Sequence, residues 1–328
     1  MRRAAVLVAG VFTAFLGAAV LGAGWLWYST PINTDNIAIT TVVIKPGDTH
    51  RRIANALEEN LGISARLWLV FLESERRLYG GTAKAGEYAL TQRSSPRDII
   101  QLLLGGASVQ HRITLIDGWT SQKIIAAINA NPVFEGVPLK KLKEGSILPD
   151  TYFISLGIDR AAFMERLQHE QVQALSTIWH ARAADIPLQT PEEAIILASI
   201  IARESNIPEE YPVVASVFHN RLRLGMPLQS DPTVIYAVSK GLGELPRPLS
   251  RADLRYENPY NTYVTGGLPP GPICHPPLAA LRAAVHPKRT KYLYFVADGK
   301  GGHAFAETLE EHNRNVARWR AMNRRDAD

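Results

Sequence analysis

Thr190-Pro191-Glu192-Glu193 combines a capping Thr, a Pro at the first helical position and a carboxylate at the third, which is a helix start. The helix continues through AIILASIIARES (Ala194–Ser205), and Pro208 limits it. Leu197, Ile200, Ile201 and Glu204 recur at spacings of three and four, so they share one face. Glu204 therefore extends an apolar stripe at the C-terminal end of this helix. Desolvation there raises a carboxyl pKa, and the negative end of the helix dipole adds to it. A carboxyl kept protonated near neutral pH can serve as a general acid. A boundary Glu paired with Arg203 or another arginine satisfies the same spacing.

Other residues suggest less. Cys274-His275 has the composition of a thiol pair, but sequence neighbours in a Pro-rich loop rarely face each other. The nine His residues include no HExxH or other two-His zinc spacing, so no metal is expected. Gly299-Lys300-Gly301-Gly302 reads as a hairpin turn rather than a phosphate loop. Asn258-Pro259-Tyr260-Asn261-Thr262-Tyr263 mixes amides with aromatic rings ahead of a Gly- and Pro-rich run. That composition suits sugar rings and acetamido groups, and it suits a structural loop equally well.

These residues sit in a chain of 328 residues, 46% hydrophobic and 20% charged, which excludes disorder and predicts about two domains. The net charge is +5, with Lys and Arg scattered, so nucleic acid is not indicated. An anionic polymer or a lipid headgroup surface fits that balance. The single cysteine excludes an intrachain disulfide. Residues 4–28 carry no charge, follow Arg2 and Arg3, and end on Trp25, Trp27 and Tyr28. This reads as a single transmembrane helix with the rest of the chain outside the cytoplasm. A cleaved signal peptide would have a shorter apolar run ending at small residues.

A polar stalk, 29–40, follows. Strands are expected at Thr41–Ile44, Gly86–Leu90 and Val109–Ile116. Helices are expected at Arg51–Leu57, capped by Asp48 or Thr49, at Ser64–Leu78, from Ser95-Pro96 to Gly105, and from Trp119-Thr120-Ser121 onward. From Arg160 to Trp319 the pattern is mainly helical, with one hairpin pairing Tyr292–Val296 with Ala304-Phe305. The fold class is α+β. Expected boundaries are a cytoplasmic tail at 1–3, the span at 4–28, the stalk at 29–40, a small module at 41–110, a connecting α+β region at 111–155 and a catalytic domain at 156–328.

Leu197–Glu204 (LASIIARE), Val214–Val238 (VASVFHNRLRLGMPLQSDPTVIYAV) and Tyr260–Pro276 (YNTYVTGGLPPGPICHP) together closely resemble the YceG-like family of endolytic murein transglycosylases. Glu144–Tyr152 (EGSILPDTY) and His286–Asn313 (HPKRTKYLYFVADGKGGHAFAETLEEHN) fit the same family, and the likeness covers roughly residues 40–320. Val42–Leu57 (VVIKPGDTHRRIANAL) resembles a LysM-like, peptidoglycan-binding start.

The resemblance places the catalytic Glu at Glu204. Two positions earlier, where many members carry a polar or acidic residue, this chain has Ala202, which cannot transfer protons. His275-Pro276-Pro277 stands where Asn-Pro-Gly is expected, which weakens any role for residue 275. The implied reaction is non-hydrolytic cleavage of the MurNAc-β-1,4-GlcNAc bond within nascent strands, ending their elongation. Glu204 would protonate the leaving oxygen and then take the proton of the MurNAc 6-hydroxyl as it attacks its own anomeric carbon, leaving a 1,6-anhydro end. One carboxyl suffices because the nucleophile belongs to the substrate. Gln229, Asp231, Asn261 and Tyr263 are candidate substrate contacts. No cofactor is implied. Glycan strands, the bacterial inner membrane and peptidoglycan synthases are the implied partners. Rival readings are a hydrolase with a second carboxylate, Glu144 or Asp150, and a non-catalytic peptidoglycan-binding scaffold.

Overall fold

The computed structural model describes residues 14–15, 17–19, 22–32, 40–91 and 94–325. The chain divides into two compact units, Met1–His111 with Phe153–Gly157, and Arg112–Tyr152 with Ile158–Asp328. Of the expected span 4–28, residues 4–13, 16, 20 and 21 lie outside the described residues, and 22–29 are helical. Among the described residues, no helix is long and apolar enough to cross a membrane.

In the first unit, β1 (Thr40–Ile44) leads into α1 (His50–Leu61), α2 (Ala65–Tyr79), β2 (Gly86–Leu90) and α3 (Pro96–Gly105). Thr49 caps α1 by accepting from the Arg52 N–H, and Gly62 ends it at φ 71, a left-handed position that glycine adopts without a Cβ penalty. Ser95 and Asp98 cap α3 reciprocally. The strands are antiparallel, in the register Thr40↔Leu90 through Ile44↔Gly86. Strand alternation turns Val42, Ile44, Tyr88 and Leu90 onto a core shared with Ile53, Leu57, Trp68 and Ile100. Tyr28 joins that core, its ring centroid 4.4 Å from that of Phe71. Residue 28 thus packs on α2, although the sequence reads it as a membrane-interface residue.

β3 (Gln110–Thr114) and β5 (Thr151–Ser155) form a two-stranded sheet. The second unit continues through α4 (Ser121–Ala130) and a short parallel pair, β4 (Phe134–Glu135) with β6 (Ile158–Asp159). The helices α5 (Arg160–His180), α6 (Pro191–Glu204), α7 (Tyr211–Arg223), α8 (Asp231–Val238) and α9 (Leu278–Val285) follow. Then come the hairpin β7 (Tyr294–Ala297) and β8 (His303–Ala306), and finally α10 (Leu309–Arg325).

Helix α6 lies in the core of this unit. Residues 196–202 are buried, and Leu197, Ala198, Ile200, Ile201 and Ala202 share one apolar cluster with Val214, Phe218, Leu281 and Ala284. The hairpin pairs Tyr294↔Ala306 through Ala297↔His303, so Phe295 and Val296 meet Phe305 and Ala304 within the expected segments, and its first strand begins at Tyr294 rather than Tyr292. The expected helicity also breaks down across 239–277, which holds only turns and the short 3-10 helix Asp253–Arg255. Eight prolines there deny backbone donors and exclude helical geometry at the residues before them.

Candidate active site

Helix α6 delivers Glu204. Thr190 Oγ1 accepts from the Glu193 N–H at 3.2 Å to start the helix, and the chain leaves it at Ser205, where φ is −131° and ψ 143°. Ser205 is fastened rather than free: its hydroxyl donates to Glu210 Oε2 (3.0 Å), and its oxygen accepts from the Ile207 N–H (3.1 Å). Glu210 in turn accepts from the backbone N–H of His303 at 2.9 Å and meets its Nδ1 at 2.6 Å. The helix end that carries Glu204 is therefore tied to β8.

Arg203 does not pair with Glu204. Its Nη2 donates to the Gly243 carbonyl at 2.8 Å. Glu204 instead accepts at Oε1 from the Ser230 hydroxyl, 2.5 Å away. Ser230 is buried, and its own N–H donates to Thr262 Oγ1 at 2.9 Å.

Glu204 borders a pocket of about 300 Å³ with Arg221, Leu228, Gln229, Asp231, Tyr263, Tyr294, Phe295, Leu309 and His312. Arg221 shapes one wall. From α7 its Nη1 donates to the carbonyls of Pro227 (3.1 Å) and Leu228 (3.0 Å) and to Gln229 Oε1 (3.3 Å), and its Nε donates to the Leu293 carbonyl (2.7 Å). Gln229 needs that support because its φ is +51°, a conformation that costs a non-glycine residue about 1 kcal/mol or more. Asp231 accepts the Tyr263 hydroxyl at 2.6 Å.

Burial pushes the Glu204 carboxyl up to about 7, the Asp231 charge adds to this, and the Ser230 hydrogen bond and Arg221 oppose it. A carboxyl with such a pKa is present in both forms near neutral pH. It can give a proton to a leaving oxygen and afterwards accept one.

Three of the four candidate contacts, Gln229, Asp231 and Tyr263, border the pocket with Glu204. Asn261 does not, and this corrects its expected role. It is fully buried, its Nδ2 donates to the carbonyls of Leu254 (3.2 Å) and Tyr256 (2.8 Å), and its Oδ1 accepts from the Tyr263 N–H (3.0 Å). Its amide is thus used to hold the turn that presents Tyr263.

Neither Glu144 nor Asp150 borders the pocket. Glu144 accepts twice from the Ser121 N–H at the start of α4 (2.9 and 3.1 Å) and lies 3.6 Å from His275 Nε2. Burial pushes its carboxyl to about 7 as well, against those bonds. His275 Nδ1 accepts from the Ile147 N–H (3.3 Å), and Nε2 meets the Ser121 hydroxyl (2.9 Å). With Nδ1 accepting, Nε2 carries the proton, so this imidazole cannot activate Ser121 as a base. Cys274 faces elsewhere, its thiol donating to the Ser199 carbonyl at 3.3 Å.

Arg221, Ser230, Tyr294 and His312 escaped the sequence reading. The first two lie in the Val214–Val238 motif and the last two in the His286–Asn313 motif, but nothing in their spacing aims them at Glu204.

The chain is 28% identical over 332 residues to a Bacillus subtilis (strain 168) protein named endolytic murein transglycosylase, covering 90% of this chain and 89% of that one. It is 26% identical to a protein of the same name from Streptococcus pneumoniae R6, covering 88% of this chain but only 59% of that longer one. A solved yceG-like protein from Listeria monocytogenes aligns with a TM-score of 0.49 and 27% identity, over 85% of this chain and 99% of that one. The YceG-like family matches residues 42–318, and the chain belongs to it.

Proposed function

We propose that this protein is an endolytic peptidoglycan lytic transglycosylase, a lyase that cleaves MurNAc-β-1,4-GlcNAc bonds within glycan strands. The observation that carries the assignment is Glu204: a desolvated carboxyl with a pKa of about 7, bordering a polar pocket and held on one oxygen by Ser230. The name shared by its relatives supports the same reading.

In this mechanism the protonated Glu204 transfers its proton to the glycosidic oxygen as the C1–O bond breaks. Its carboxylate then removes the proton of the MurNAc 6-hydroxyl, whose oxygen bonds to C1. A 1,6-anhydro end forms and Glu204 is protonated again. Gln229, Asp231 and Tyr263 contact the sugars around that bond.

A second reading has an observation in its favour: Asp231 supplies a second carboxylate to the same pocket. A hydrolase would use it to activate or replace water. Mass spectrometry of digested, uncrosslinked glycan strands separates the two. The lytic reaction leaves anhydro ends, whereas hydrolysis leaves ends one water heavier, and exclusively hydrated ends would overturn our assignment.

The N-terminal region belongs to the same proposal. Residues 4–28 anchor the protein in the bacterial inner membrane as a single span, with the remainder on the extracytoplasmic side. The uncharged run behind Arg2 and Arg3 supports this. Residues 41–110 form a LysM-like glycan-binding module, supported by the order strand, two helices, strand with the two strands antiparallel. Residues 111–155 connect it to the catalytic domain, 156–328. Peptidoglycan synthases, which make the strands, are the fitting partners.

A further inference from the structure

Helix α2 is apolar on two sides. Trp68 and Leu72 turn inward and are buried in the core of the first unit. Leu67, Phe71, Ser74 and Leu78 recur at spacings of four, three and four, with Val70 beside them, and form a second stripe. On that stripe Leu67, Val70 and Leu78 are 43%, 62% and 70% exposed. A surface helix ordinarily sets its apolar face on the core and carries polar residues opposite. A contiguous apolar stripe left outside marks a contact surface.

The stripe runs onto the end of the uncharged segment 4–28. The Trp27 ring centroid lies 5.8 Å from that of Phe71, and the Tyr28 ring 4.4 Å from it. The Tyr28 hydroxyl donates to Glu75 Oε1 at 2.9 Å, which fastens this end of the segment to α2. Trp27 stays 44% exposed beside the stripe. Trp25, also exposed, has the Arg97 guanidinium 5.4 Å from its ring centroid. A bilayer surface that meets residues 25–28 therefore meets α2 with no linker in between.

The composition of α2 suits such a surface. Arg66, Arg76 and Arg77 flank the stripe, against one carboxylate, Glu73, which holds Arg76 at 2.8 Å and Arg77 at 3.1 Å. Aliphatic side chains between arginines, edged by Trp, match the boundary of headgroups and acyl chains, and the excess of arginine suits anionic lipid. The exposed aliphatic members offer a sugar no hydrogen bond, and the Ser74 hydroxyl is already engaged with the Val70 and Phe71 carbonyls. Acyl chains need no such bond.

We propose that the Leu67–Leu78 stripe of α2, continued by Trp27, is a lipid-docking surface that seats the first unit on the membrane beside the span. This rests on the reading that residues 4–28 cross the bilayer. The stripe enters the headgroup and acyl boundary by about 5–10 Å, as an interfacial helix does.

The test uses the full chain in vesicles of phosphatidylethanolamine and phosphatidylglycerol. Ser74→Cys places a thiol in the middle of the stripe for a nitroxide label, and the native Cys274 is buried. Oxygen partitions into lipid and a nickel chelate stays in water, so relaxation by each reports where the label sits. The expected label is relaxed more by oxygen than by nickel. Adding Val70→Glu and Leu78→Glu should reverse that order. Both positions are exposed, so the melting temperature should hold; if it falls, the label without these changes still decides.

A label relaxed mainly by nickel in a chain that stays with the vesicles would overturn the proposal. So would lipid exposure that survives both glutamates, or dipolar broadening between labels, which would assign the stripe to a second copy of the chain. Extraction with alkaline carbonate tests the span separately. Release of the wild-type chain would remove the anchor reading and the docking with it, an outcome distinct from a retained chain whose label faces water.

Discussion

The Ser230 hydroxyl donates to Oε1 of Glu204 over 2.5 Å, and Thr262 Oγ1 holds the Ser230 N–H at 2.9 Å. One oxygen of the acid is thereby engaged, and the proton to be transferred belongs on the other. The bond favours the carboxylate and restrains the upward shift that burial imposes. Ser230→Ala should raise the Glu204 pKa further. The basic limb of the pH–rate profile should move to higher pH, with kcat down by about tenfold or less at neutral pH. An unmoved limb would mean that Ser230 does not tune the acid.

Glu204→Gln should lower cleavage by about 10²-fold or more, because an amide keeps the shape and cannot exchange the proton. The same change tests the burial argument. A folded pKa of about 7 lies above the unfolded value, so ionised Glu204 costs stability. The cost begins as pH rises past the unfolded value of about 4.3 and is complete above about 7. Glu204→Gln should therefore stabilise the protein in denaturant melts at pH 8, by on the order of 2 kcal/mol, and have little effect at pH 4. Equal destabilisation at both would identify a paired structural carboxylate.

Asp231 raises the Glu204 pKa by its charge and accepts the Tyr263 hydroxyl. Asp231→Asn should lower that pKa and shift the basic limb to lower pH. In a lytic enzyme the variant keeps some activity and still makes anhydro ends. In a hydrolase that uses Asp231 as base or nucleophile, activity should fall by about 10²-fold or more. Rates and product masses for the pair of proteins decide between these outcomes.

His275 is fully buried and links the Ile147 N–H to the Ser121 hydroxyl. His275→Ala leaves both without that partner and should cost about 1–3 kcal/mol of stability near neutral pH. Burial holds the His275 pKa down to about 4, so the native state requires the neutral ring. Wild-type stability from this group is lost as pH falls below the unfolded value of about 6.5, and the loss is complete below about 4. The cost of His275→Ala should accordingly shrink in acid. Activity per folded molecule should hold, because His275 does not border the Glu204 pocket. A catalytic defect without a change in melting would assign it a different role.

The individual elements were legible where the signal is local. Thr49, Ser95 and Thr190 each accept from the backbone N–H three residues ahead, because a cap and its helix are set by adjacent residues. Strand Gly86–Leu90 has its expected bounds. Where sequence patterning failed, the failures are instructive. The helical expectation over 239–277 gave way to proline geometry, and Tyr28 found a partner in Phe71 that no periodicity could announce. Asn261 had the composition of a sugar contact, yet the backbone carbonyls of its own loop use its amide.

The sequence by itself determined that Glu204 ends an apolar helical stripe, since a period of 3.6 residues places side chains on a face whatever packs there. Its motifs also determined the family. Only the tertiary structure decided what that carboxyl meets. Ser230 comes from the start of α8, Arg221 from α7, Tyr263 from a long loop, and Tyr294 and His312 from the hairpin and the last helix. Burial, and with it the pKa of about 7, depends on all of these arriving together. Desolvation is a property of surroundings, and for Glu204 most of those surroundings lie far away along the chain.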